Sequence, residues 1–348
     1  MLNFSNAQLC KLAAHTVGNK TMDEPLSLTD TPISMDENVQ SLLLHYFVTP
    51  FKNTGEYYHL FHTSELGLNE VYAYVSRIFD EPETFLEQSQ HLAKHLYEKS
   101  DHPKIKQSDF YVAYFTDCVA EDEVVECIGL FKSENKQKFL KVYTDEKGYT
   151  LQAEEGIDIH KLDKGCLIFN TEKEKGYLVT VVDPISKQNE ARYWKDEFLN
   201  AKNREDSYFH TQGYMKMYQH FVEEKLQVEY EVTRADEIDM KNRTVNFFKE
   251  KETFDFQEFA QEVIQQPEIV DKFREFKQDY QEENQFAIAD EFTISDKAVK
   301  RQAKIFKSVI KLDKNFHIYV HGKKEYIERG TDEVTGLNFY KLLFLEEN

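Results

Sequence analysis

The spacing of apolar residues changes at Phe110 and again after Trp194, and these two switches limit the chain to a mixed α and β architecture. Before Phe110 the spacing is helical. Val39, Leu42, Leu43, Tyr46 and Phe47 recur every three or four residues, as do Leu68, Val71, Tyr72, Val75, Ile78 and Phe79. A third helix is predicted from Pro82, a favoured first position, with Phe85, Leu86, Leu92, Ala93, Leu96 and Tyr97 on one face and an end before Pro103. Residues 110–115 are then a continuous apolar run of strand length, and residues 124–131 match it across an acidic turn at 121–123. Residues 138–143 read as a further strand. Residues 166–169 and 177–182 flank a turn-like segment and make a second hairpin. The middle of the chain is therefore predicted to be a mostly antiparallel sheet.

After Trp194 the helical period returns. Tyr214, Met215, Tyr218, Phe221, Val222 and Leu226 share one face, Phe256, Phe259, Ala260, Val263 and Ile264 another, and Ile269, Phe273, Phe276 and Tyr280 follow Pro267. Such stripes are core faces. The last fifty residues are expected to add one helix and two or three strands. A chain of 348 residues exceeds what one core usually organises, and the polar stretch 203–206 marks the expected boundary. The fold class is α+β. Residues 1–204 form N-terminal helices with a mostly antiparallel sheet, and residues 205–348 form a helix-rich domain ending in a small β element.

The four cysteines, Cys10, Cys118, Cys127 and Cys166, are far apart and form no Cys-x-x-Cys pair, so they are expected to be reduced. Neither a leader pattern nor a membrane-length apolar run is visible, and the protein is expected to be cytoplasmic. With 43 basic and 63 acidic residues the net charge is −20, which repels polyanions in bulk. Any nucleic-acid contact must be local.

Residues 297–329 reverse that sign. Lys297, Lys300, Arg301, Lys304, Lys307, Lys311, Lys314, Lys323, Lys324 and Arg329 face only Asp313, Glu325 and Glu328, a local balance of +7. On a helix, Lys297 to Lys311 would fall within an arc of about 120°, opposite Val299, Ile305, Phe306, Val309 and Ile310. Ser295 or Asp296 would cap its start. In the strand expected next, Phe316, Ile318 and Val320 alternate with His317, Tyr319 and His321, which would face outward together. Clustered cations beside aromatic and imidazole groups suit phosphates and bases. Two plainer readings stay open: cations late in a helix complement its dipole, and amphipathic edge strands alternate without any ligand. The candidate nucleic-acid-binding residues are Lys297, Lys300, Arg301, Lys304, Lys307, Lys311, Lys314, His317, Tyr319, His321, Lys323 and Lys324.

The segment Ile310-Lys-Leu-Asp-Lys-Asn-Phe-His-Ile-Tyr-Val-His-Gly322 resembles the bacterial nucleoid-associated proteins of the NdpA or YejK type. Three further stretches carry the resemblance: Gly129-Leu-Phe-Lys-Ser-Glu134, Leu162-Asp-Lys-Gly-Cys-Leu-Ile-Phe-Asn170 and Glu190-Ala-Arg-Tyr-Trp-Lys-Asp-Glu-Phe-Leu199. It covers essentially the whole chain. It implies association with the nucleoid, through DNA itself or through a protein partner such as a DNA-topology enzyme. It implies no catalytic residue.

Other chemistries have thinner support. Asp183, Glu190 and Arg192 loosely match the two acids and a cation of a Mg²⁺-dependent nuclease. His91 and His95 stand four apart on a helix but lack the glutamate of His-Glu-x-x-His, and read as surface histidines. A serine nucleophile elbow and a phosphate-binding Gly-rich loop are absent. The expectation is a non-enzymatic DNA-associated protein with no catalytic residues, no metal, no cofactor, no membrane contact and no small-molecule substrate. A homodimer stays open.

Overall fold

The computed structural model describes residues 2–52, 54–145, 148–183, 193–230, 232–284, 287–306, 309–312, 316–320 and 326–346. The chain forms two compact units, Met1–Arg204 and Glu205–Asn348.

The first unit begins with β1 (Gln8–Val17) and β2 (Leu26–Ser27), then α1 (Glu37–Val48), β3 (Tyr58–Leu60), α2 (Glu70–Asp80) and α3 (Phe85–Glu98). It continues with β4 (Ser108–Ala120), β5 (Glu123–Ser133), β6 (Lys136–Asp145), β7 (Gly148–Ile157), β8 (Lys164–Phe169), β9 (Leu178–Val182) and β10 (Ala201–Asn203). Among the described residues, eight of these strands pair antiparallel in the order β10-β3-β9-β8-β5-β4-β1-β2.

The unbroken apolar runs make sense because both faces of this sheet are covered. Ile128 and Leu130 of β5 pack with Val75 and Ile78 of α2 and with Leu92 and Leu96 of α3. Their neighbours Cys127 and Phe131 face the other way, against Phe47 of α1 and Phe51. The Phe47 and Phe131 rings stack at 4.1 Å, and truncating either buried ring to Ala would cost about 3–5 kcal/mol. The turn between β4 and β5 places Glu121 and Asp122 both at positive φ, the backbone of a two-residue hairpin whose twist matches its strands. At the end of the unit, Arg204 donates to Glu121 at 3.0 Å and to Glu172 at 2.7 Å.

Two features of this unit differ from expectation. β1 lies inside the sheet, yet its alternation is broken by a bulge between Leu9 and Lys11, which hides it from a period-2 reading. The strand expected at 138–143 does not join the main sheet. Among the described residues β6 pairs only with β7, from Lys136 opposite Ile157 to Asp145 opposite Gly148, and makes a separate two-stranded arm.

The second unit runs through α4 (Ser207–His220), α5 (Leu226–Glu229), α6 (Arg234–Glu250), β11 (Thr253–Asp255), α7 (Phe256–Phe259), α8 (Pro267–Asn284), β12 (Glu291–Thr293) and α9 (Asp296–Ala303). Its core is aromatic. Tyr214, Tyr218, Phe221, Phe247, Phe254, Phe259 and Phe273 are all buried in one cluster. Phe254 stacks on Phe292 at 4.7 Å, which fixes β11 beside β12. α6 starts with a capping box in which Thr233 and Asp236 satisfy each other's backbone N–H groups. Where two or three final strands were expected, the described residues hold four: β13 (Val309–Leu312), β14 (Phe316–Tyr319), β15 (Ile327–Thr331) and β16 (Asn338–Leu342), in two hairpins.

Candidate nucleic-acid interface

The basic window begins on α9, which is amphipathic in the expected sense but shorter. Ala298, Val299 and Gln302 are buried, while Lys297, Lys300, Arg301 and Lys304 are exposed along the opposite face. The Ser295 N–H donates to Thr211 Oγ1 at 3.0 Å and ties the helix start to α4. Ser295 occupies the cap position without a side-chain cap bond.

A continuous helix to Lys311 is not what forms. The helix stops at Ala303 with Lys304 as its cap, and the N–H groups of Ile305 and Phe306 both donate to the Gln302 carbonyl. Phe306 turns into the aromatic core. Val309 and Ile310 are β-branched and satisfy a strand ladder better than a helix, so Lys311 sits in β13 and not on the helical face.

The β13–β14 hairpin has a fixed register: Val309 opposite Tyr319, Ile310 opposite Ile318, Lys311 opposite His317 and Leu312 opposite Phe316. Ile310 and Val320 are buried against Ile238 of α6, with Ile318, Leu312, Ile327 and Tyr340 packed around them. His317 and Tyr319 lie on the other side and are exposed. Phe316, expected to face inward, is also exposed because it is the end residue of its strand. Lys307, Lys314, His321, Lys323 and Lys324 lie outside the described residues. Arg329 is exposed on β15.

Electrostatically, the helix face is open. Among the described residues no carboxylate pairs with Lys297, Lys300 or Lys304, whereas Arg301 donates from Nη1 to the Tyr208 hydroxyl at 3.0 Å. Behind the face, the amide N and O of fully buried Gln302 have no partner among the described residues. Such an orphaned amide costs about 1–3 kcal/mol and marks this helix as less than optimally packed.

The alternative carboxylate site looks different. Asp183 Oδ1 accepts from Lys164 Nζ at 3.0 Å; the lysine is buried and the aspartate partly so. Glu190 and Arg192 lie outside the described residues. Beside this pair is a cluster that the sequence did not reveal. Lys132, with no exposed surface, donates to Glu134 Oε1 at 2.8 Å, to the Tyr193 hydroxyl at 2.9 Å and to the Lys106 carbonyl at 3.2 Å. Lys132 and Lys164 are direct partners across β5 and β8, and the Tyr193 ring lies 5.3 and 5.7 Å from their ammonium groups. Burial pushes Lys132 below the usual lysine range and Tyr193 well above the usual phenol range. The available signal was a lysine closing each apolar run, Phe131-Lys132 and Lys164-Gly165.

His95 is buried, not on the surface. Its Nε2 is 3.0 Å from the Phe198 carbonyl, its ring packs on Phe198, and burial lowers its pKa. Half-buried His91 packs on Tyr74 instead. Among the described residues no group of three His, Cys, Asp or Glu is placed to hold a metal ion.

The family model described as Nucleoid-associated protein YejK matches residues 14–338. The chain belongs to this family. The match to the YejK family spans most of both units and takes in α9, β13, β14 and β15. Membership supports a nucleoid-associated role and implies nucleoid localisation. No curated protein matches the chain. Among the described residues no helix is long and apolar enough to cross a membrane.

Proposed function

We propose that this chain is a non-enzymatic nucleoid-associated protein that contacts DNA phosphates through the basic surface of its second unit. One observation carries this reading: Lys297, Lys300 and Lys304 line one exposed helix face with no carboxylate partner among the described residues. An ammonium group already in an ion pair gains little from a phosphate, because it must first give up its carboxylate. These three need give up nothing but water and counterions. His317 and Tyr319 add exposed groups able to hydrogen-bond or stack.

The net charge of −20 sets the character of the contact. Repulsion from distant acids is screened beyond about 8–10 Å at physiological salt, so binding is short-ranged and strongly salt-dependent. Phosphate contacts carry no base information, and the affinity is expected to be tolerant of sequence.

The test is a Lys297→Ala, Lys300→Ala, Lys304→Ala variant of the full chain, titrated with duplex DNA by fluorescence anisotropy over a salt series. The plot of log affinity against log salt should become shallower by about 2.7, close to 0.9 per lost contact. An unchanged slope rejects direct contact through α9. The same acidity favours a second reading, recruitment through a protein partner such as a DNA-topology enzyme. That reading predicts weak DNA binding by the wild type with no change in the triple variant.

A further inference from the structure

The β6–β7 arm carries an apolar face that nothing within the described chain covers. The ladder places Leu140, Val142, Leu151, Ala153 and Tyr149 on one side, since directly opposed residues share a face and alternate residues keep it. Leu140 is 70%, Val142 58%, Leu151 63% and Tyr149 83% exposed, and Ala153 is exposed as well. Burial returns only at the root, where Ile157 meets the α1-side core. A lone two-stranded ribbon of this kind is marginal in water without a packed face.

We propose that this face is a self-association surface, occupied by the arm of a second copy of this chain in an isologous, two-fold contact. The inference is independent of the DNA-binding reading, since the arm belongs to the first unit and the basic surface to the second.

Three observations favour a second copy as the occupant. The first is charge. In a chain of net charge −20, residues 136–157 hold four lysines (Lys136, Lys138, Lys141, Lys147) and four acids (Asp145, Glu146, Glu154, Glu155), so the arm is locally neutral. Two copies can approach here without the repulsion that the rest of the surface imposes, and a polyanion is offered no net attraction.

The second is the distribution of what charge there is. On the apolar face the ions sit at the root, where Lys138 pairs with Glu155, and Tyr149 sits near the tip. Tip-to-root packing therefore sets a phenol over a lysine and a carboxylate at both ends, and leaves the leucines and Val142 to meet in the middle. That pattern is complementary to itself, as a two-fold contact requires.

The third is area. The exposed apolar side chains amount to on the order of 500 Å² per arm, so two arms would bury about 1,000 Å² in total, the lower bound for a specific interface. The expected dimer is therefore a weak one, of roughly micromolar Kd. Lysines spaced along β6 disfavour edge-to-edge strand addition, which leaves face-to-face packing as the available geometry.

The experiment is sedimentation velocity on the full chain at about 1–100 μM, spanning the expected Kd. A variant with Leu140→Thr, Val142→Thr and Leu151→Thr keeps strand propensity while removing the apolar groups. The wild type should pass from monomer to dimer with concentration, and the variant should stay monomeric. Ala153→Glu is the second variant: it sets like charges against each other across the two-fold, and should weaken the dimer at least tenfold even if the triple variant does not fold. Leu343→Thr with Phe344→Thr, in the exposed apolar residues beyond β16, should dimerise like the wild type. A wild type that is monomeric throughout overturns the proposal. So does a dimer untouched by Ala153→Glu, or one lost through the Leu343 and Phe344 changes.

Discussion

Two sets of lysines, one from each unit, meet opposite fates. In the first, Lys132 and Lys164 are buried at the ends of paired strands, each held by a carboxylate, Glu134 or Asp183, with Tyr193 between them. In the second, Lys297, Lys300 and Lys304 stand in solvent with no carboxylate partner among the described residues. The residue type is the same and the chemistry is not. In a chain with 63 acids to 43 bases, a count of cations says little about binding a polyanion. What matters is which cations the protein has left unpaired.

The largest effect that could break this contrast is expected at Lys132. Lys132→Met should destabilise the first unit by about 3–5 kcal/mol, because the partly buried Glu134 carboxylate and the buried Tyr193 hydroxyl lose the ammonium that donates to them. Urea denaturation measures it, and the folded fraction should bind DNA as the wild type does. A near-neutral result would show that the buried pair is dispensable.

Acid should act on the first unit next. The Thr29 N–H donates to His15 Nδ1, so the ring is neutral and Nε2 donates to Ser89 Oγ at 3.1 Å. Burial lowers the His15 pKa to about 4. Between about pH 6.5 and pH 4 the unfolded chain binds a proton that the folded chain refuses, so stability present above pH 6.5 drains away as pH falls, by an amount on the order of 3 kcal/mol. Denaturation midpoints at pH 7 and pH 4.5 measure this loss, and His15→Gln should flatten it.

Smaller changes sharpen the contrast from the other side. Lys297→Ala alone should leave stability untouched and reduce the salt slope of DNA binding by about 0.9. Lys20 is the control: it is exposed but paired with Glu98, so Lys20→Ala should alter neither the thermal midpoint nor the salt slope. A salt slope that falls for Lys20→Ala would mean that pairing does not decide availability.

Much of this arrangement can be read from residue order, and the failures have physical causes. β4 and β5 are legible because strands buried on both faces must be apolar without interruption. α2 and α3 are legible because one covered face gives a clean helical period. α6 is not: it buries Glu237 and Lys241 as ion pairs with Arg234 and Glu223, and so looks like a solvated stretch. The end of α9 is lost because Phe306, Val309 and Ile310 satisfy a helical wheel and a strand ladder equally well until pairing decides. The arm looked like any other strand, since a period of two reports a pleat and not which sheet the pleat joins. At the candidate site, the exposed face of α9 was legible as a cationic stripe. The buried lysines showed only as cations closing two apolar runs, a position that does not by itself say whether a lysine meets a carboxylate or water.

Arg204 is the last residue of the first unit, and its guanidinium reaches both Glu121 in the β4–β5 turn and Glu172 just ahead of β9. Along the chain, a pull on the second unit reaches the first through the peptide bond that follows it. β10 is only three residues long and would peel away under a small force if it were the sole attachment. Arg204 instead divides that tension between two turns belonging to the longest strands of the sheet and to its neighbouring hairpin. In mechanical terms the first unit is tethered at three points, and Arg204→Ala should lower the rupture force of its sheet without changing what either unit binds.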